Sequence, residues 1–346
     1  LISLDNAVGN IPTKTSQLTN DSGFLTSVPS EYITEIEFYA EISRLAMLGK
    51  YDELPSYYYE NNYISNKINA IREMMDNIGN DGTVFATFTD SHMDNENGGN
   101  SAKIIKKVMD ECNIPRVFFL GDAGSNSPQT TDKLAISTLE NFNTLVKPIG
   151  DKLSQILGNH DGAYGLPVNS VTYPYNLPRA TVFNRALNKN RLGEVKSFGG
   201  DGTYYYIDDY GAKTRFLMLN TSDRPYETNA DGTMIEASNT MKGFNICQDQ
   251  VDWIIESLNV QDGWHVCVFS HCPIHDSFMD MASYIRNLFK AYKTKTKYSA
   301  TYVGKYVWDK LVINADFTTY KGEFVASISG HTHNDYYYPA SDFLIN

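Results

Sequence analysis

Nine residues of this chain could do chemistry together: Asp90, His92, Asp122, Asn159, His160, Asp161, His271, His331 and His333. Each follows a short apolar run. Val84-Phe85-Ala86-Thr87-Phe88-Thr89 leads into Asp90-Ser91-His92, and Val117-Phe118-Phe119-Leu120-Gly121 leads into Asp122. Ile156-Leu157-Gly158 leads into Asn159-His160-Asp161, Val266-Cys267-Val268-Phe269-Ser270 into His271, and Phe324-Val325-Ala326-Ser327-Ile328-Ser329-Gly330 into His331-Thr332-His333. Of the seven histidines, five sit in these motifs. Carboxylate oxygens, an amide carbonyl and imidazole nitrogens form a mixed N/O donor set that suits Zn, Mn or Fe rather than Ca. Asp90, His92, Asp122, Asn159, His271, His331 and His333 are too many ligands for one ion. Asp122 has two oxygens, enough to bridge two cations about 3.5–4 Å apart, as in two-metal hydrolytic sites.

Val-, Ile- and Phe-rich runs of this length read as buried strands. In open α/β sheets a ligand site lies beyond the carboxyl ends of the strands. Helical periodicity alternates with them. Helices are expected over about 63–78, from a cap at Ser101, over about 131–146 and over about 247–259. Tyr204–Ile207 and Arg215–Leu219, joined by a turn at Asp208–Gly211, read as a β-hairpin, so the sheet is expected to be mixed. Upstream, residues 1–30 read as an extended stem or linker and 31–50 as a first helix; with 63–78 this makes 31–80 a helical attachment region, and 81–346 the catalytic domain.

The order D-x-H, G-D, G-N-H-D, lone H and G-H-x-H resembles the calcineurin-like metallophosphoesterase superfamily over about residues 83–335. The resemblance implies an α/β fold, an αββα sandwich of two mixed β-sheets flanked by helices. It implies one ion on Asp90, His92, Asp122 and His333 and a second on Asp122, Asn159, His271 and His331. It further implies a bridging hydroxide as nucleophile, His160 as a hydrogen-bond or proton donor near the leaving oxygen, and Asp161 as the group orienting its ring. One position departs from the family pattern: Ser125 stands where Asp or Asn supports the loop after Asp122.

A lone histidine at a strand end is more often a hydrogen-bonded core or loop residue. That reading stands for His265, which opens a strand, and for His275, which could at most line the pocket. Arg224 could contact a phosphate, but a surface salt bridge is the commoner role for such a residue. Cys112, Cys247, Cys267 and Cys272 form no CxxC pair and read as reduced core thiols.

The chain of 346 residues carries a net charge of −12, which argues against a protein living on duplex DNA. It does not argue against a phosphorylated small substrate, since bound cations offset local negative charge. No apolar run is long enough to span a bilayer, and no secretory signal pattern is seen. A start at Leu1 rather than Met is expected of a piece of a longer protein. Ile11–Thr26 resembles a segment of phage and prophage tail or tail-fibre proteins, with a plain linker as the alternative. That resemblance implies a virion-associated or prophage-encoded location, other tail proteins as partners, a homotrimer through the N-terminal region, and a phosphodiester of the bacterial envelope as substrate. Without it the chain would read as cytoplasmic. The competing functions are a nuclease, a nucleotide phosphatase, and a structural tail module that retains an esterase scaffold.

Overall fold

Strand and helix follow the apolar spacing of the chain. The computed structural model describes residues 62–78, 82–92, 98–124, 132–161, 194–196, 202–225, 230, 243–306, 308–333 and 344–345. The expected stem and first helix lie outside the described residues, as does Ser125. The chain divides into two compact units, Leu1–Ile71 and Arg72–Asn346. Helix α1 spans Asn62–Ile78. Its C-terminal half is tied by Arg72, whose guanidinium bonds the backbone carbonyl and the carboxylate of Glu111.

Three short strands, β1 (Ala86–Phe88), β2 (Val117–Phe119) and β3 (Leu153–Gln155), form a sheet in the order β1-β2-β3. Helices α2 (Gly98–Cys112) and α3 (Asp132–Val146) provide the crossovers, and a helical crossover returns the chain parallel. Among the described residues this sheet is therefore parallel, not mixed as expected. Helix α2 begins ahead of Ser101, because Gly98 and Gly99 fall in a first turn whose N–H groups need no intrahelical partner. The strand expected at Ile156–Leu157 lies three residues earlier. The Ile156 N–H still bonds Phe119, so pairing runs on to the edge of the Gly158 loop.

The second sheet joins β4 (Glu194–Lys196), β5 (Tyr205–Asp209), β6 (Thr214–Met218), β7 (His265–Ser270), β10 (Glu323–Ser329) and β11 (Leu344–Ile345), in the order β11-β10-β7-β6-β5-β4. The β5–β6 hairpin is antiparallel, as its sequence predicts, while β6, β7, β10 and β11 run parallel. Helices α4 (Gln248–Ser257) and α5 (Ala282–Thr294) bury Trp253, Ile254, Ile285 and Phe289 in one apolar cluster with Leu217, Val266 and Val268 of this sheet. A separate ribbon, β8 (Lys297–Val303) with β9 (Lys310–Asp316), follows α5.

The period of two in the strands decides what each side chain covers. Phe118 of β2 stacks on Phe269 of β7 at 4.4 Å and meets Phe216 of β6 at 4.9 Å, so it points at the second sheet. Its neighbour Phe119 points the other way, onto Phe142 of α3 at 4.4 Å. These contacts stack α3, the parallel sheet, the mixed sheet and the α4–α5 pair in that order. Each fully buried Phe contributes roughly 1.5–3 kcal/mol over its exposed state. A hydrogen bond from the Tyr205 hydroxyl to the Gln155 carbonyl also joins the sheets, and that hydroxyl accepts the Gln155 N–H.

Candidate metal centre

Register brings the site residues together. Phe88, Phe119 and Gln155 are level across the parallel sheet, so Asp90, Asp122 and Asn159 all leave at its carboxyl edge. Ser270 and Ser329 are level across the other sheet, which places His271 beside His331. Backbone bonds lace the loops: Asp90 N–H to Gly121, His92 N–H to Asp122, Gly330 N–H to His271.

Eight non-glycine residues have positive φ among the described residues, and five of them are Asp90, His92, Asp122, His331 and His333. Such conformations cost about 1–3 kcal/mol each and persist where surrounding bonds over-determine them. Two glycines let the loops approach closely enough. A Cβ on Gly158 would lie 2.0 Å from the Asp122 carboxylate, and one on Gly330 would lie 2.1 Å from the Thr89 hydroxyl.

The side chains converge as two groups, Asp90 with His92 and His333, and Asp122 with His271 and His331. Within each, one ligand atom per residue lies within 4.8 Å of the others. In the first group the Nε2 atoms of His92 and His333 are 3.1 Å apart, and Asp90 Oδ1 is 3.3 Å from His333 Nε2. In the second, His271 Nε2 lies 3.1 Å from Asp122 Oδ2 and 3.0 Å from Asn159 Oδ1, which puts Asn159 with this group. Asp122 Oδ2 is also 4.0 Å from His92 Nε2, so one oxygen stands between the two groups.

Hydrogen bonds outside the groups aim these atoms. Nδ1 of His92 is 3.1 Å from the Gly124 carbonyl, and Nδ1 of His271 is 2.8 Å from that of Leu120. A carbonyl can only accept, so Nδ1 carries the proton and each Nε2 turns its remaining face inward. Asp90 Oδ2 accepts from the Thr89 hydroxyl and the His331 N–H, whereas its buried Oδ1 accepts no hydrogen bond. A buried carboxylate oxygen left in this way is costly unless a cation takes it. The donor set and this orphaned oxygen fit divalent metal ions.

The electrostatics follow from crowding. Burial works against charging His271, but the adjoining Asp122 carboxylate outweighs it and pushes the imidazole up to about 9. Burial also opposes the Asp122 charge, yet His271 holds that carboxyl below its ordinary range. Burial, then the neighbouring His271, brings His331 down to about 4.

His160 and Asp161 differ in their placement. The His160 N–H bonds Asp122 Oδ1 at 2.7 Å, and its ring stands edge-on to His92 with centroids 5.1 Å apart. Asp161 accepts the N–H groups of Asp122, Gly158 and Gly124 at 2.8, 2.8 and 3.0 Å. Its two oxygens accept these backbone N–H groups, which joins the loops after β2 and β3. Burial and then the nearby Asp122 charge push it up to about 6.

The remaining candidates lie elsewhere. His265 is half exposed, 4.0 Å from Glu323. His275 accepts the Ser277 N–H and lies beside the Phe278 ring. Arg224 is buried, its guanidinium 5.6 Å from the Trp308 ring centre, and burial lowers its pKa. The four cysteines are free thiols, and burial pushes Cys267 up to about 12, leaving it inert. Phe244 and Phe278, which wall the second group at His331, gave no motif signal, because single aromatics in loops carry none. No helix among the described residues is long and apolar enough to cross a membrane.

No family model matches the chain, and no curated protein matches its sequence. Among solved structures, a dimetal phosphatase from Danio rerio is similar over 66% of this chain and 85% of its own, with 13% identity and a TM-score of 0.45. At that distance the likeness carries no weight for the site, whose reading stands on its own geometry.

Proposed function

We propose that this chain is a dinuclear, metal-dependent phosphoesterase of the metallophosphoesterase type. One observation carries the reading: two ligand triads meet at a single carboxylate oxygen, Asp122 Oδ2, with imidazole Nε2 atoms of both groups facing it. One ion would be held by Asp90, His92, Asp122 and His333, and the other by Asp122, Asn159, His271 and His331. Bound there, two divalent ions would supply Lewis acidity toward a phosphoryl group and lower the pKa of water toward neutrality.

The chain's own residues do the rest. Asp161 fixes the loops that present Asp122 and Asn159. Thr89 holds Asp90 with one oxygen turned inward. His160 stands beside the His92 ring and would donate to the leaving oxygen. No residue needs to form a covalent intermediate.

The test pairs metal content with hydrolysis of bis-p-nitrophenyl phosphate and p-nitrophenyl phosphate. Hydrolysis that needs metal and stops in chelator supports the reading. A fully metal-loaded protein that cleaves neither ester overturns it. Diester preference, an envelope polymer as target, a tail-associated setting and a homotrimer through residues 1–80 extend the proposal and rest on the N-terminal sequence. Light scattering on the full chain tests the last: a monomer removes it.

A further inference from the structure

The two sides of the metal centre differ in chemistry. Around the first group the neighbours among the described residues include the polar His160 and Thr89. Around the second, the His331 ring meets the edges or faces of Phe244 at 4.7 Å, Phe278 at 5.6 Å and His271 at 5.2 Å. Phe244 and Phe278 are both half-buried, and both rings lie against His331, a residue of the second group.

The loop carrying Phe244 is pinned. Asn245 pairs its backbone with Thr221 and Asp223 in the loop after β6. On the other side, a Cβ on Gly243 would lie 2.8 Å from the Arg224 guanidinium. That guanidinium rests against Trp308 of the β8–β9 turn. The same β6 loop touches the metal side directly, since the Thr221 hydroxyl accepts the N–H of Cys272, next to His271. Phe244 is therefore a held wall of the site rather than a loose loop residue.

We propose that Phe244 and Phe278 form an aromatic jaw that binds a flat apolar ester group attached to the phosphorus, and so set the substrate class as aryl-type phosphate esters over small alkyl ones. Arg224 is a positioning residue that acts through Gly243 and Phe244. The inference rests on the phosphoesterase reading. Its physical basis is that aromatic pairs favour edge-to-face and offset contacts, and that burying a ring is favourable in proportion to the apolar area removed from water.

The test measures binding as well as turnover. Metal-loaded wild-type protein is titrated with phenylphosphonate and with methylphosphonate, which share the phosphoryl head and cannot be hydrolysed as esters. The jaw predicts tighter binding of phenylphosphonate by about fivefold to tenfold. Phe244→Leu and Phe278→Leu should each shrink that ratio toward one while metal content and methylphosphonate binding stay unchanged. A purely structural role would weaken both ligands equally. Arg224→Lys should shrink the ratio less than Phe244→Leu. Equal affinity of the two phosphonates for wild type, or a ratio unchanged in both Phe variants, overturns the proposal. Selective phenylphosphonate binding without any ester hydrolysis would leave the jaw standing and remove the phosphoesterase reading instead.

Discussion

The two ligand groups sit in different surroundings. The inner one contains His271, with no side-chain exposure, and Asp122, with 1%. Its imidazole and carboxylate are pre-aimed by Leu120 and by the His160 N–H, and aromatic rings enclose His331. The outer one ends in His333, whose side chain is 57% exposed. A ligand held by packing loses little freedom on binding a metal, whereas an exposed one must be ordered first. The inner ion should therefore be retained and the outer one exchanged, with Asp122 as the point where the two depend on each other.

Substituting the shared residue should give the largest effect. Asp122→Asn leaves one anionic oxygen fewer for two dications, so elemental analysis should show loss at both positions, with hydrolysis falling to background. Full double occupancy in that variant would remove the bridging role.

His160→Gln tests chemistry without removing a proposed metal ligand. It should keep both metals and lower turnover by about 10²–10⁴-fold on alkyl esters. The loss should be smaller on nitrophenyl esters, whose leaving group needs no proton. Equal losses on both would argue against a proton donor there.

His333→Ala should act on the outer ion alone. Its affinity should fall by at least the roughly 10–100-fold that loss of a supporting partner costs, with activity recovered in excess metal. Loss of the inner ion as well would erase the contrast between the groups.

The smallest effect is expected from Thr89→Val, which removes the hydroxyl bonded to Asp90 Oδ2. Outer-ion affinity should drop by about tenfold or less, and inner-ion affinity should not move when both are measured by competition with a chelator.

Much of this site was legible in the chain because each ligand follows an apolar strand, and a parallel register delivers strand ends to one edge. The glycines in Gly158-Asn159-His160-Asp161 and Gly330-His331 carry a second signal, since only a missing Cβ permits those approaches. The β5–β6 hairpin and α1, α3 and α4 were legible for the same reason of periodicity. The bonds of Asp161 to three backbone N–H groups are not legible in the chain, since no side-chain pattern announces backbone partners. Helix α5 carries the same helical spacing in Ile285, Leu288, Phe289 and Tyr292. The β8–β9 ribbon alternates buried and exposed residues along β9, a period-two signal in Leu311, Ile313 and Ala315. Arg224 and Phe244 could not be placed from sequence, because their roles depend on contacts between loops far apart in the chain.

Native mass spectrometry of the wild-type chain titrated with Mn(II), after exhaustive chelation, tests the central claim most directly. Two ions per chain should be added in separable steps, the first resisting a mild chelator and the second washing out. Saturation at a single ion, or no uptake at all, would contradict a two-metal centre shared through Asp122.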